Sequence, residues 1–505
     1  MDYLVPAWHE LLDDWSYTIP KLEFDDAVSH IKVFQTTQKP FSLVITDYQP
    51  QLSTKLNQLT ISPTQIFSTF DYLQGVNHID SQIVDYRDFN WPSDAYFEFN
   101  NFWLIVMIKN QPYAKVIFDT QGKILWVDYL TKGETTRRLL LDSRGFISRE
   151  ELFKNGQVVK NVYYDEQGYW RFKHDLASDQ VEINRRFTGL TEHLHYAHLN
   201  DLLAEVVINH CLNRFDPNQD NLIVTLDDQA TIASQFYLPY RPIFSVSHWH
   251  PYQASLAAFK DQSFSLPLVV DNNETKAIVK KQTNLEATVI PLFQSRFNLG
   301  HSQRSAQERI GLFVESMTKK EVEEVLELLY QRLLTAPQTT AVTLMSYSLE
   351  KLQLAQQCLR GLQEHHEGEF VLAKEQLNED ERVLTDQLDL PKLTIDTQRI
   401  STPSEAGCQL DSLRILINWG NKLDEFLQIS AISTGIPQLC RQENKQVKNY
   451  RNGLICPQLT DINKGLDYYL GNLKHWNEAL IYDVQLMNQY SAIELQKKWE
   501  KVLTK

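Results

Sequence analysis

Five glycines constrain the middle of this chain more tightly than any other feature. Gly122, Gly133, Gly145, Gly156 and Gly168 fall at intervals of 11, 12, 11 and 12 residues, in the polar contexts DTQGK, TKGE, DSRGF, KNGQ and DEQGY. Glycine enters positive φ without steric cost, so each context predicts a tight turn. The runs between them, ILWVDYL, TRRLLL, FISREELF, VVKNVYY and YWRFKHD, mix β-branched and aromatic residues with polar ones. Turns at this spacing predict an antiparallel meander of hairpins.

The flanks read differently. DYLVPAW opens with a strand, Ala27, Val28, Ile31 and Phe34 follow at helical spacing, FSLVITDY (41–48) is a second strand, and residues near 51–74 read as helical. That is the rhythm of a parallel sheet covered by helices. It resumes after residue 190 with a helix near 199–213 and strands at 221–226 and 243–247, followed by a low-structure stretch near 249–285. A second α/β series has strands at 287–293, 310–315, 341–347, 369–373, 392–396 and 414–419. Thr318 and Glu321 predict a capping box, with the apolar face Val322, Val325, Leu329 and Leu333 behind it. The expected fold class is therefore α/β: two Rossmann-type lobes with an inserted antiparallel β-meander. The first lobe occupies 1–81 and 191–265, the insertion 82–190, the second lobe 266–485, and a C-terminal helix at 486–505 packs back on the first lobe.

A net charge of -15 argues against nucleic acid as the primary partner, because phosphate binding draws on clustered Lys and Arg. Cys211, Cys358, Cys408, Cys440 and Cys456 form no CxxC pair and read as reduced thiols. The opening MDYLVPAWHELLDDW lacks the basic and apolar regions of a signal peptide. The longest apolar run, Phe102 to Ile108, is seven residues and too short to span a bilayer. A cytoplasmic chain without a transmembrane segment is expected.

Two α/β lobes place a ligand at the carboxyl ends of their strands, the layout of GT-B sugar-nucleotide transferases. Their chemistry needs a cation for the diphosphate leaving group and commonly a carboxylate for the ribose. The stretch RILINWGNKLDEFLQISAISTGIPQLCRQENKQVKNYRNGLICP resembles the donor half of such enzymes. The two glutamates that active relatives carry before the STGIP turn fall here at Lys422 and Ser430, so neither is acidic. Asp424 and Glu425 lie two or three positions along, on another helix face. Arg296 or Arg304 in FQSRFNLGHSQR is the candidate diphosphate clamp, with His301 a further residual cleft contact; the alternative for the arginines is a surface role. Trp8 sits where a phosphate loop needs a small residue. His193, His195, His198, His248 and His250 have no acidic or thiolate partner at metal-site spacing, and read as core or interface residues. DPNQDN (216–221) lacks the glycine of a calcium loop. No catalytic residue, metal or cofactor is assigned.

The meander carries Trp126, Tyr129, Tyr163, Tyr169, Trp170 and Phe172. Side chains alternate across a strand, so these form either a docking face for an extended polypeptide or sugars, or the packing face against the lobe. The opening DYLVPAW, FDDAVSHIKVF, DYRDFNWP (85–92), and ILWVDYLTKGETTRRLLLDSRGFISREELFKNGQ with QGYWRF resemble, over the whole length, the first of the accessory secretory proteins of the Gram-positive accessory Sec system. The resemblance implies a GT-B-like frame with an extended β-sheet domain and no transferase activity. It also implies assembly with the second and third accessory secretory proteins. Service to the accessory SecA motor in exporting a serine-rich repeat glycoprotein adhesin follows, peripheral to the membrane at the accessory translocase. The competing expectation is an active GT-B glycosyltransferase that extends O-glycans on the adhesin.

Overall fold

The computed structural model describes residues 1–9, 25–77, 82–100, 103–119, 122–259, 267–295, 299–305, 307–373, 390–401 and 403–503. Phe102 and Arg296 lie outside them. The chain divides into two compact units, Met1–Ile290 with the C-terminal residues from Lys498, and Pro291–Lys497.

The first unit opens with β1 (Asp2–Val5), helix α1 (Asp26–Thr36), β2 (Phe41–Ile45), α2 (Leu52–Gln58), β3 (Gln65–Ser68) and α3 (Thr69–Gln74). An insertion follows: β4 (Tyr96–Phe99), β5 (Trp103–Ile108), β6 (Gln111–Phe118), β7 (Ile124–Thr131), β8 (Glu134–Leu141), β9 (Ile147–Lys154), β10 (Gln157–Tyr164), β11 (Trp170–Asp175), β12 (Val181–Ile183) and β13 (His195–Tyr196). Then come β14 (Asn221–Thr225), β15 (Ile243–Val246), β16 (Leu268–Val270) and β17 (Ala287–Val289). β1–β3 and β14–β17 form one parallel sheet in the order β17-β16-β15-β14-β1-β2-β3. All of β2, β15 and β16 are buried, as expected where helices cover both faces. The first lobe therefore extends to Ile290, and the strand expected at 287–293 to open the second lobe instead closes the first sheet. β3 was not anticipated within the segment read as helical.

Strands β4–β13 form a ten-stranded antiparallel meander in chain order. The alternating glycine intervals come from two turn types. Lys132–Gly133 and Asn155–Gly156 are two-residue turns with both φ positive, the twist that suits a hairpin. Gly122, Gly145 and Gly168 end longer turns opened by Asp119, Asp142 and Asp165, whose carbonyls accept from the glycine N–H.

The meander is anchored to the lobe at one end. Tyr163 and Phe172 stack at 4.2 Å and pack with Tyr48 and Phe70. Such aromatic pairs contribute about 0.5–1.5 kcal/mol beyond their burial. Tyr48 donates its hydroxyl hydrogen to Ser148 Oγ, and Gln74 Nε2 donates to the Ser148 and Tyr164 carbonyls. Arg144 of DSRGF bridges Asp142 and Asp71. Gly145 beside it has φ +93°, and a Cβ there would meet Gln82 Cβ at 2.7 Å; both facts demand glycine. In the same unit, Trp499 of the C-terminal helix Ala492–Leu503 packs edge-on against His30 and Phe34.

The second unit holds β18 (Glu308–Phe313), α4 (Lys319–Thr335), β19 (Thr340–Ser346), α5 (Leu349–His365), β20 (Val371–Leu372), β21 (Lys392–Arg399), β22 (Leu413–Asn418), α6 (Glu425–Thr434), β23 (Gln438–Cys440) and β24 (Gly453–Ile455). Its parallel sheet runs β20-β21-β19-β18-β22-β23-β24. The Thr318–Glu321 capping box forms, and Val322, Val325, Leu329 and Leu333 are buried. No helix among the described residues is long and apolar enough to cross a membrane.

Candidate functional site

The carboxyl ends of the first sheet deliver acids and imidazoles. Beyond β14 lies Asp227, beyond β15 lie His248 and His250, and Asp25 and Asp26 start α1. His250 Nε2 faces Asp25 Oδ2 at 3.0 Å and Asp26 Oδ1 at 3.3 Å, while Nδ1 faces Asp227 Oδ2 at 2.9 Å. Both nitrogens donate only in the imidazolium. Burial alone would lower its pKa, but the bonds to Asp227, Asp25 and Asp26 outweigh burial and hold it well above the ordinary histidine value. Burial pushes Asp26 and Asp227 up; His250, with His30 and Ser245 at Asp26 and with His9 and the Gln229 N–H at Asp227, more than reverses this and leaves both lowered. Asp25 also caps α1 through Val28 N at 3.0 Å and accepts from the buried Trp8 indole at 3.1 Å. Ligand atoms of Asp25, Asp26 and His250 lie within 4.8 Å of one another, a spacing that suits a cation. A metal would need the Nε2 lone pair, which the proton bonded toward Asp25 occupies. Spacing in the sequence gave no sign of this cluster, because the acids of α1 lie 225 and 224 positions before His250.

At the carboxyl edge of the second sheet a carboxylate does the gathering. Glu315 Oε2 accepts from Ser346 Oγ at 2.6 Å, Tyr347 N at 2.9 Å and Ser348 N at 3.1 Å, immediately before α5. Backbone N–H groups at such a position suit a phosphate; here the chain's own carboxylate takes them. Tyr347 donates to Asp424 at 2.9 Å, and Asp424 caps α6 by accepting from Leu427 N at 2.7 Å. Burial and Asp424 hold the Tyr347 hydroxyl well above its usual range. Lys422 lies ahead of α6, exposed, its carbonyl accepting from Ser316 Oγ at 2.6 Å. Ser430 is on α6 and half-buried. Counting back along one continuous helix thus overreaches at Lys422. His301 pairs with Asp411 at 3.0 Å, and Arg304 is exposed in the turn Ser302–Arg304.

The six aromatic candidates of the meander do not share one face. The register runs Trp103, Ile117, Trp126, Leu140, Arg149, Tyr163, Phe172 and Ile183 side by side across eight strands. Tyr163 and Phe172 lie at the lobe end of that row, 2% and 1% exposed. They are core and meet no partner. Trp126 is half-buried farther along, packed against the edge of that core with Arg138 5.1 Å above its ring, and Trp103 at the outer end is covered by Lys115 at 4.2 Å. Tyr129 is on the opposite face, against Trp91 and Tyr113. Tyr169 is exposed beside Arg186, and Lys173 covers Trp170. The sequence reading omitted Trp103, Lys115 and Arg138, which complete the outer patch with Trp126; the strand alternation held the signal, but only the cross-strand register assembles it.

A family model described as accessory Sec system protein Asp-1 matches residues 5–505. The accessory Sec system protein Asp-1 of Streptococcus gordonii is 24% identical over 521 residues, covering 100% of this chain and 99% of its own. The structure of accessory secretory protein 1, 2 and 3 in Streptococcus pneumoniae contains a similar chain, with a TM-score of 0.79 and 23% identity over 100% of this chain and 99% of that one. The pneumococcal O-GlcNAc transferase GtfA in complex with UDP and GlcNAc aligns with a TM-score of 0.68 and 12% identity, over 99% of this chain and 98% of that one. The fold is that of the GT-B transferases, two parallel-sheet lobes with an antiparallel insertion.

Proposed function

The chain belongs to the accessory Sec system protein Asp-1 family, and from that premise we propose that it is a non-catalytic scaffold built on a transferase frame. In this reading it binds the second and third accessory secretory proteins and helps deliver a serine-rich repeat glycoprotein adhesin to the accessory SecA motor. It works in the cytoplasm, peripheral to the membrane at the accessory translocase. The observation that carries the reading is Glu315. A glycosyltransferase must stabilise the charge that develops on a diphosphate as the glycosidic bond breaks. Here the N–H groups of Tyr347 and Ser348, suited to that charge, are satisfied by a carboxylate of the same chain. Three carboxylates around one imidazolium at the first sheet disfavour a phosphate there too. The pneumococcal structure, which joins accessory secretory proteins 1, 2 and 3, supports the choice of partners. The patch of Trp103, Lys115, Trp126 and Arg138, with Arg138 paired to Asp128, supplies half-buried aromatic and charged surface of the kind protein interfaces use.

Titration calorimetry of the full chain with UDP-N-acetylglucosamine is expected to show no binding heat, while co-expression with the two accessory proteins yields a stable complex. Nucleotide-sugar uptake with turnover onto a Ser-rich peptide would replace this reading by the transferase that the fold's likeness to GtfA favours.

A further inference from the structure

β3 ends the first parallel sheet. It pairs with β2 from Ser42↔Gln65 to Ile45↔Ser68, and among the described residues no strand pairs with its other side. Natural edge strands are guarded by Lys, Pro or a bulge, because their free N–H and C=O groups invite another chain. The sequence of β3, QIFS, has no Lys, Pro or bulge, and Ile66 is 39% exposed; its length of four residues limits the open edge to a short one. Residues of β3 line a groove of about 500 Å³, whose apolar lining includes Leu56, Ile61, Ile66, Phe67 and Val76. The ionised side chains in its lining are Asp71 and Arg144, which pair with each other at 2.6 Å. A charged occupant would have to break that pair, so the groove's charge suits a neutral one. A row of unpaired backbone groups beside apolar pockets selects a polypeptide over a small molecule, since strand addition draws affinity from the main chain and specificity from alternate side chains.

We infer that the β3 edge and its groove take an extended, uncharged polypeptide segment of a partner protein, added as an eighth strand to the first sheet. The inference deepens the scaffold reading and rests on it for the partner being a protein. β3 has four residues, so the added strand makes its main contact over about 13 Å. Side chains on one of its faces enter the groove and those on the other face remain outside.

The test uses the full chain with the co-purified second and third accessory secretory proteins as the probe. Amide hydrogen exchange at residues 65–68 is expected to slow about tenfold or more in the complex. Ile66→Lys at the edge and Asn57→Arg in the groove are each expected to weaken the complex roughly tenfold. Ile481→Lys, at a more exposed site in the second unit, leaves the affinity unchanged and controls for general surface effects. A complex that forms with unaltered exchange at 65–68 and full affinity in both variants overturns the inference and leaves the scaffold reading standing. Protection of the same amides by free N-acetylglucosamine but not by the proteins overturns it in favour of a small-molecule pocket. If the wild-type chain captures neither protein, the scaffold reading falls and takes this inference with it.

Discussion

At the carboxyl edge of the first sheet one imidazolium, His250, gathers Asp25, Asp26 and Asp227. At the same edge of the second sheet one carboxylate, Glu315, gathers the Ser346 hydroxyl and the N–H groups of Tyr347 and Ser348. Topology puts both where a Rossmann-type lobe would hold a ligand. The difference lies in what each arrangement depends on. The bonds from His250 to all three carboxylates need its proton, and when the proton goes each carboxylate keeps only its other donors. The second uses backbone donors that never titrate, so its strength follows the single carboxylate.

The largest test of that contrast is His250→Leu. Removing the cation takes from three buried carboxylates the partner they share and leaves each with only its remaining donors, among them Trp8 and Val28 N for Asp25, Thr225 and Ser245 for Asp26, and His9 for Asp227, and urea unfolding of the first unit should become easier by about 3 kcal/mol. The pH dependence carries the same sign. The folded pKa of His250 is raised, so its contribution is complete below the unfolded value of about 6.5 and is lost as pH climbs through the raised one. Asp26 and Asp227 are lowered; their contribution is present above the unfolded value of about 3.9 and disappears as pH falls through the lowered ones. Unfolding midpoints of the wild type should therefore decline on the alkaline side, and the His250→Leu chain should lack that decline. An identical alkaline limb in both chains would refute the imidazolium assignment.

Glu315→Ala comes next, at about 1–3 kcal/mol for stranding charge-assisted donors. Inorganic phosphate should raise the thermal midpoint of this variant and leave the wild type unmoved, since only the variant has the N–H groups free. No phosphate response in the variant would show that the donors do not form an anion site. Tyr347→Phe is expected to be the mildest, about 1 kcal/mol for one lost hydrogen bond, with no response to phosphate in a thermal-shift measurement.

The meander was legible in the sequence because its turns need glycine and its strands alternate, two signals that depend only on neighbours along the chain. The boundary of the first lobe was not. β16 and β17 are three residues each, too short for a periodicity, and β3 is a four-residue strand between helical segments. At the candidate sites, the absence of acid at Lys422 and Ser430 could be read directly, as could the bulk of Trp8. Asp25 and Asp26 could not be read as partners of His250, because those contacts close over more than two hundred residues, and Asp227, 23 positions before it, follows a different strand. The aromatic patch was half legible: which of Tyr163 and Trp126 is covered depends on where the lobe meets the row, and no local pattern encodes that.

The two turn types of the meander have a consequence for how such a protein can change size. From β5 to β11 short hairpins stand at one rim of the sheet and Asp-opened turns at the other, so the repeating unit there is a pair of strands and not a single one. Gaining or losing one unit moves the distal edge strand by about 10 Å and leaves every remaining side chain on the face it had. The sheet is in effect a graduated arm, whose reach can be set in whole steps without renegotiating its attachment at Arg144.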